Sequence, residues 1–311
     1  MAGFTASFAQ IKQTDMKNKA TLALSLVASL VLTACGGGGG GSSPAATPSS
    51  SSASSPTAAS APAAASAPTP ASTPTIQGEQ LPSLSSPQPG STAATGNGVD
   101  GIWSVSTIVS KTTAFIDPQN NISYLDTVGS TAMSEFFGVI TPASTNWTLT
   151  SGGQFLSSLY TPVTSGSGTF TANQTFGGSL QVNSNPVNLS WTYDPANALA
   201  VTQSSVAGTW TETNTSLTVS SAGAVSGTMS NCPVTGTLLL STAGSSQNLY
   251  TLNVTTGSAT SCQIPNMTLS GNAAIVFLPI TGSNLYARSI LYVIHAAGNA
   301  AVAYGQVTLA Q

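Results

Sequence analysis

Every second residue of the segment from Val187 to Tyr193 is apolar, and the residues between are polar. In an extended chain that period of two puts Val187, Leu189, Trp191 and Tyr193 on one face, with Asn188, Ser190 and Thr192 on the other. Tyr250, Leu252 and Val254 alternate with Thr251, Asn253 and Thr255 in the same way. Clusters of turn-forming residues at 117–121, 151–153, 220–223 and 281–284 separate such runs. No stretch shows a 3.6-residue period. The region from 99 to 311 therefore reads as all-β, with about fourteen to sixteen strands at the usual 8–12 residues per strand and turn.

The same region repeats itself. Val99-Asp100-Gly101-Ile102-Trp103 and Val206-Ala207-Gly208-Thr209-Trp210 share V-x-G-x-W, and 206 − 99 gives a separation of 107 residues. Behind each copy comes a strand, a tight turn and a second strand, over 114–124 and over 217–227. The repeat is too long for a solenoid unit and suits a complete small β domain. Two tandem domains are expected, residues 99–204 and 205–311, each a small antiparallel β-barrel or sandwich. A different glycine pattern, Gly96-Asn97-Gly98-Val99-Asp100-Gly101, matches G-x-G-x-x-G. A dinucleotide site of that kind needs a strand before it and a helix after it. Here a low-complexity tract precedes and a strand follows, so the match carries no such function.

Ahead of the domains the composition changes. Lys17 and Lys19 precede about a dozen mostly apolar residues ending near Val31, and small residues follow, as in a secretory signal peptide. The apolar run is shorter than the ~20 residues a membrane-spanning helix needs. Met16 abuts the positive segment, so residues 1–34 read as the leader, with 1–15 an extension ahead of the working start. Six glycines occupy 36–41, followed by a Ser/Ala/Pro/Thr tract with ten prolines between Pro44 and Pro89. Few of its side chains are larger than alanine, too few to offset the entropy of ordering. Residues 35–98 are expected as a lipidated cysteine and a disordered tether.

Leu32-Thr33-Ala34-Cys35 resembles the lipobox of bacterial lipoproteins. The resemblance implies that the Cys35 thiol carries a diacylglyceryl group and its amine a further acyl chain such as palmitate. Two or more chains hold a protein at a membrane where one does not. Gly36 stands where an aspartate would mark inner-membrane retention, which implies the outer membrane. The glycine-rich tether and paired β domains resemble a group of Gram-negative lipoproteins, common in Burkholderia-type bacteria, that carry two such halves. The G-x-W openings are similar to those of lipocalin-type up-and-down barrels. That resemblance makes Gly101, Trp103, Gly208 and Trp210 the residues that plug one end of each barrel. More distantly, the plan looks like the eight-stranded barrels of transferrin-binding surface lipoproteins.

The chain is short of charge: five Lys and Arg, eight Asp and Glu, one His in 311 residues. Three of the five cations lie in the leader or ahead of it. The mature chain keeps Lys111 and Arg288 against seven acids, 2 − 7 = −5. No basic patch can neutralise a phosphate backbone, which excludes nucleic acid as a partner. One histidine cannot build a multi-histidine metal site, and no cofactor motif is present. Cys232 and Cys262, both beyond the anchor in an exported chain, are expected to pair as a disulfide. His295 sits in an apolar run, Ile290 to Ile294, with no G-x-S-x-G elbow anywhere. Asp100, Asp117 and Asp194 read as turn or strand-edge residues, and Glu135 as an exposed strand end. The expected function is a non-enzymatic, membrane-anchored binding or interaction module, with an envelope protein or a glycan as its partner. The alternative is an envelope hydrolase using His295 or a pair drawn from the scattered carboxylates.

Overall fold

The computed structural model describes residues 78–310 apart from 97, 130 and 158. The leader, the Cys35 lipobox and the tether up to residue 77 lie outside the described residues. Sixteen strands are present among the described residues. The first eight are β1 (Gly101–Ser106), β2 (Ser110–Ile116), β3 (Asn121–Val128), β4 (Thr131–Ala143), β5 (Asn146–Leu156), β6 (Leu159–Thr171), β7 (Thr175–Val182) and β8 (Asn185–Tyr193). The second eight are β9 (Gly208–Glu212), β10 (Thr215–Val219), β11 (Ala224–Met229), β12 (Cys232–Leu240), β13 (Tyr250–Thr256), β14 (Thr268–Pro279), β15 (Tyr286–Ala296) and β16 (Val302–Leu309). Each set is an antiparallel, up-and-down closed barrel. Of the two architectures the pattern allowed, barrel or sandwich, the chain adopts the barrel.

Short hairpins let neighbours in sequence pair directly. Between β7 and β8, Asn183 and Ser184 both take positive φ (49° and 66°), and Ser230 and Asn231 do the same between β11 and β12 (49° and 64°). Such two-residue turns match the right-handed twist of the strands they join, and asparagine tolerates the left-handed conformation. One expected turn is not a turn. Ser151-Gly152-Gly153 lies inside β5, where the Tyr160 ring of β6 lies across Gly153; a Cβ there would sit 2.2 Å from that ring. An aromatic side chain from the next strand covers the glycine, and the pair substitutes for a β-former.

The V-x-G-x-W repeat builds the same device at each barrel seam. Trp103 Nε1 donates to the Val99 carbonyl at 2.9 Å, and Trp210 Nε1 donates to the Val206 carbonyl at 2.8 Å. Trp103 is 0% exposed and Trp210 2%. The barrels close beside these residues, with Trp103 opposite Tyr193 and Trp210 opposite Leu309. Gly101 and Gly208 hold φ of 139° and 135°; a Cβ at Gly101 would stand 2.7 Å from the Tyr193 ring, and one at Gly208 2.9 Å from Leu309. Only glycine fits a backbone in that region pressed that closely. The interior of the first barrel is largely aromatic: the Phe176 ring lies between Trp147 (5.0 Å) and Trp191 (5.3 Å), near-parallel to both. The second is mainly aliphatic, with Val, Leu and Ile around Trp210, Tyr250 and Tyr292.

The two barrels share a third core. Trp103, Ala114, Tyr124 and Phe136 point into the first barrel, while their neighbours Ile102, Phe115, Leu125 and Phe137 join Phe155 in a cluster with Ala274, Val276, Leu291 and Val293 of the second. These strands are buried on both faces, which is why they read as continuous apolar runs instead of alternating ones. The linker between barrels is also ordered. Asp194 caps a 3-10 turn, Pro195–Ala198, by accepting from Ala196 N. Asn197, fully buried, accepts from Ile102 N and donates to Ile102 O, completing the edge of β1. Asn248 donates to the Ala196 and Ile275 carbonyls and accepts from Ile275 N.

The expected tether extends too far in one respect. Residues 78–96 are packed against both barrels rather than free. Glu79 and Tyr286 exchange backbone hydrogen bonds, and the Glu79 carboxylate pairs with the Arg288 guanidinium through two nitrogens. Gln88 bonds both the Ala198 carbonyl and Ala200 N, Thr92 Oγ1 accepts from Asn248 N, and Asn173 Nδ2 donates to Ala93 O. Composition alone suggested disorder, but pairing with existing strands and loops satisfies the backbone groups of a segment with no core of its own.

Cys232, at the start of β12, is bonded to Cys262 in the connection between β13 and β14. The bridge fastens a loop that also donates from Gly257 N to Pro233 O and from Ser261 Oγ to Asn231 O. On the chain-entropy estimate a loop of this length contributes about 3–4 kcal/mol, so Cys232→Ser with Cys262→Ser is expected to lower the midpoint of thermal unfolding by about 10 °C. Because the barrels share a core, calorimetry of the intact chain should show one cooperative transition. Two resolved transitions, one per barrel, would refute the shared core.

Candidate functional site

Where the outer walls of the barrels diverge beyond the shared core they leave a cleft of about 500 Å3. The first barrel supplies Asp117, Gln119 and Asn121 from the turn before β3, Phe137 and Val139 from β4, Ser151 and Gly153 from β5, and Tyr160 from β6. The second supplies Thr251, Ser270, Asn272, His295 and Asn299. Antiparallel register puts His295 of β15 opposite Ser270 of β14. Across the cleft, the imidazole lies 4.2 Å from the Phe137 ring, centroid to centroid. The sole histidine, at the end of its apolar run, thus stands at the junction of the barrels.

His295 Nδ1 is buried and has no hydrogen-bond partner. Burial lowers the pKa of this side chain, outweighing the opposing influence of the Ala296 backbone and the Asn299 amide. The ring is therefore neutral at pH 7, it lines the cleft, and its Nδ1 is enclosed in the protein. Asp117 is different. Its Oδ1 accepts from Gln119 N and Asn121 N (2.9 and 2.8 Å), and its Oδ2 from Asn121 Nδ2 at 2.7 Å. Asn272 leans on it at 3.4 Å and accepts from Ser123 Oγ at 2.8 Å, a polar clasp across the barrels. Asp117 is a turn residue, as its position between two strands implied, and its lone pairs are engaged in holding that turn.

The other sequence candidates are dispersed. Gly101, Trp103, Gly208 and Trp210 serve the barrel seams, and Cys232 and Cys262 the disulfide. Asp194 caps its 3-10 turn and accepts from Ser104 Oγ at 2.6 Å, while Asp100 is buried beside the first seam. Asp126 accepts from Thr112 and Ser134, and Glu212 from Tyr292 and Gln306 N. No group of three or more metal-ligating side chains occurs among the described residues.

Glu135 is a correction. Expected as an exposed strand end, it is 4% exposed. It points out of the first barrel, in register with Leu125 and Phe155, both of the shared core. Desolvation, with Asp126 adding repulsion, raises its pKa to about 7. Tyr304 of β16 feels both Glu135 and Glu212, and its own pKa is raised by burial and then by those two. Nothing in the local sequence separated Glu135 from a solvated carboxylate, because the surface that buries it belongs to the other barrel.

The residues that line the cleft without being singled out by sequence, chiefly Phe137, Tyr160, Ser270 and Asn299, come from four separate segments. The one available signal was the apolar run ending at His295: a polar residue that closes a doubly buried strand sits at the margin of an interface. Compared with known proteins, the chain matches no family model, no curated protein and no solved structure.

Glu135 sets a pH dependence. Its folded-state pKa stands above the ordinary carboxylate value, so the folded form binds the proton more tightly. Its contribution is present below about pH 4.5 and lost as pH rises through about 7. Glu135→Gln should stabilise the fold at pH 8 by on the order of 1–3 kcal/mol, an advantage that fades toward pH 4.5. Thermal melts of both proteins across that range check it; equal midpoints at pH 8 would show that Glu135 is not buried as described.

Proposed function

We propose that the protein is a lipid-anchored lipoprotein of the bacterial outer membrane, and that its folded unit is a non-enzymatic binding module with the inter-barrel cleft as its site. The observation that carries this reading is the cleft itself, built jointly by both barrels and lined by aromatic, hydroxyl and amide side chains together with the neutral ring of His295. The surroundings favour binding over hydrolysis. The carboxylate in the cleft wall, Asp117, spends its oxygens on its own turn. A Ser-His-Asp arrangement needs a carboxylate oriented on the imidazole, and the carboxylates of Asp117, Asp126, Asp194 and Glu212 direct their hydrogen bonds to other partners.

The placement of Gly78, the first described residue, agrees with the reading. It lies against Ile280 and Leu285 of the turn before β15. His295 lies nine residues along β15 from Tyr286, about 30 Å at the rise of a strand. The cleft therefore sits at the opposite end of β15 from Gly78. A lipid on Cys35 would hold the unit at a membrane and leave that end accessible to a ligand.

The anchor is tested by Cys35→Ser. The variant should move from the membrane fraction to the soluble envelope fraction and lose its acyl mass; unchanged membrane retention with the variant would overturn the lipoprotein reading.

A further inference from the structure

The chemistry of the cleft narrows what it can hold. Neither a lysine nor an arginine lines it. Arg288 is committed to Glu79, and Lys111 borders a separate hollow. An anion would find no counter-charge, and a cation would find only Asp117, whose oxygens are engaged. What remains free is neutral and polar: the exposed side-chain amide of Gln119 and the hydroxyls of Ser151 and Ser270. Beside them are apolar ring surfaces, Phe137 tilted against His295 and Tyr160 laid over Gly153.

Hydroxyl and amide groups at the rim, aromatic rings at the wall and a single carboxylate tied into its own turn match one class of ligand. Its rings carry C–H faces for the aromatics and hydroxyls for the amides. The volume, about 500 Å3, lies within the usual range of small-ligand sites, about 300–1,000 Å3. An extended peptide is a poorer fit. Peptides that bind β proteins commonly add a strand to an open edge, and both barrels are closed, which removes the edges.

We infer that the cleft between the barrels binds a neutral glycan, with a sugar ring against Phe137, Tyr160 and His295 and its hydroxyls on Gln119, Asn299 and Ser270. The inference rests on the binding-module reading and names its ligand class. Because neither partner carries charge at the contact, affinity is independent of ionic strength, unlike a contact made by surface ion pairs.

The test uses the purified full chain on an array of neutral and acidic oligosaccharides, followed by calorimetric titration with maltotriose, cellotriose and triacetylchitotriose. The expected result is retention of at least one neutral glycan, with the same dissociation constant at 50 and 500 mM salt. His295→Ala is expected to weaken it at least tenfold. Ser270→Ala, on strand β14 in the cleft wall, should weaken it severalfold with an unchanged melting temperature, which separates loss of the site from loss of the fold. A folded chain that retains no neutral glycan, or only acidic ones, overturns the ligand class. So does binding that both variants leave intact. Capture of a peptide in place of a sugar refutes the glycan while leaving a binding module; release of shortened sugar products would keep the glycan and refute the module as non-enzymatic.

Discussion

The apolar contact between the outer walls of the two barrels governs the rest of the molecule. A free-standing barrel turns polar residues outward, and most of this chain does: β7, β8, β10 and β11 alternate cleanly between core and Ser, Thr or Asn. Strands β1 to β5 and β14 to β15 break the rule where the barrels meet, exchanging Ile102, Phe115, Phe137 and Phe155 for Val276, Leu291 and Val293. Such side chains each stabilise by about 1.5–3 kcal/mol when fully buried, and none would be stable facing water in a separate domain. The cleft, the burial of Glu135 and the ordered strap of residues 78–96 all follow from that one contact.

Within each barrel a second constraint is repeated. The G-x-W glycine takes a conformation open only to glycine, and the tryptophan two residues on reaches back to the valine carbonyl four residues before it. The same bond closes both seams at nearly the same length, 2.9 and 2.8 Å, although one interior is filled with stacked aromatics and the other with branched aliphatics. Local geometry at the seam has been kept while the packing behind it differs. Interiors accept different side chains if the volume is filled, whereas a positive φ pressed against a facing side chain admits no substitute.

Buried amides perform the work that charge does in other proteins. Asn197 and Asn248 satisfy backbone groups at the edges of β1 and β14, and Asn272 clasps Ser123 across the barrels. A neutral amide satisfies a buried N–H and a buried C=O together without the desolvation penalty of an ion. Among the described residues one ion pair is present, Arg288 with Glu79, and it fastens the strap rather than the core. The scarcity of charge is thus compatible with a dense polar network, and it leaves the cleft neutral.

Much of the architecture was legible in the sequence because its causes are local. Period-two alternation reports that a strand has one buried face, the asparagine-rich junctions report turns, and the 107-residue recurrence of V-x-G-x-W reports two copies of one domain. The pairing of Cys232 with Cys262 followed from their number and expected compartment. Barrel closure, the shared core and the site were decided by tertiary structure. The runs at Phe136–Phe137 and Ile290–Ile294 announced a second buried face, but a single strand's pattern cannot say what buries it. That is why Glu135 read as exposed, why residues 78–96 read as tether, and why His295 read as isolated. Each depends on a surface more than 100 residues distant in the chain, brought there only when two closed barrels press their apolar walls together.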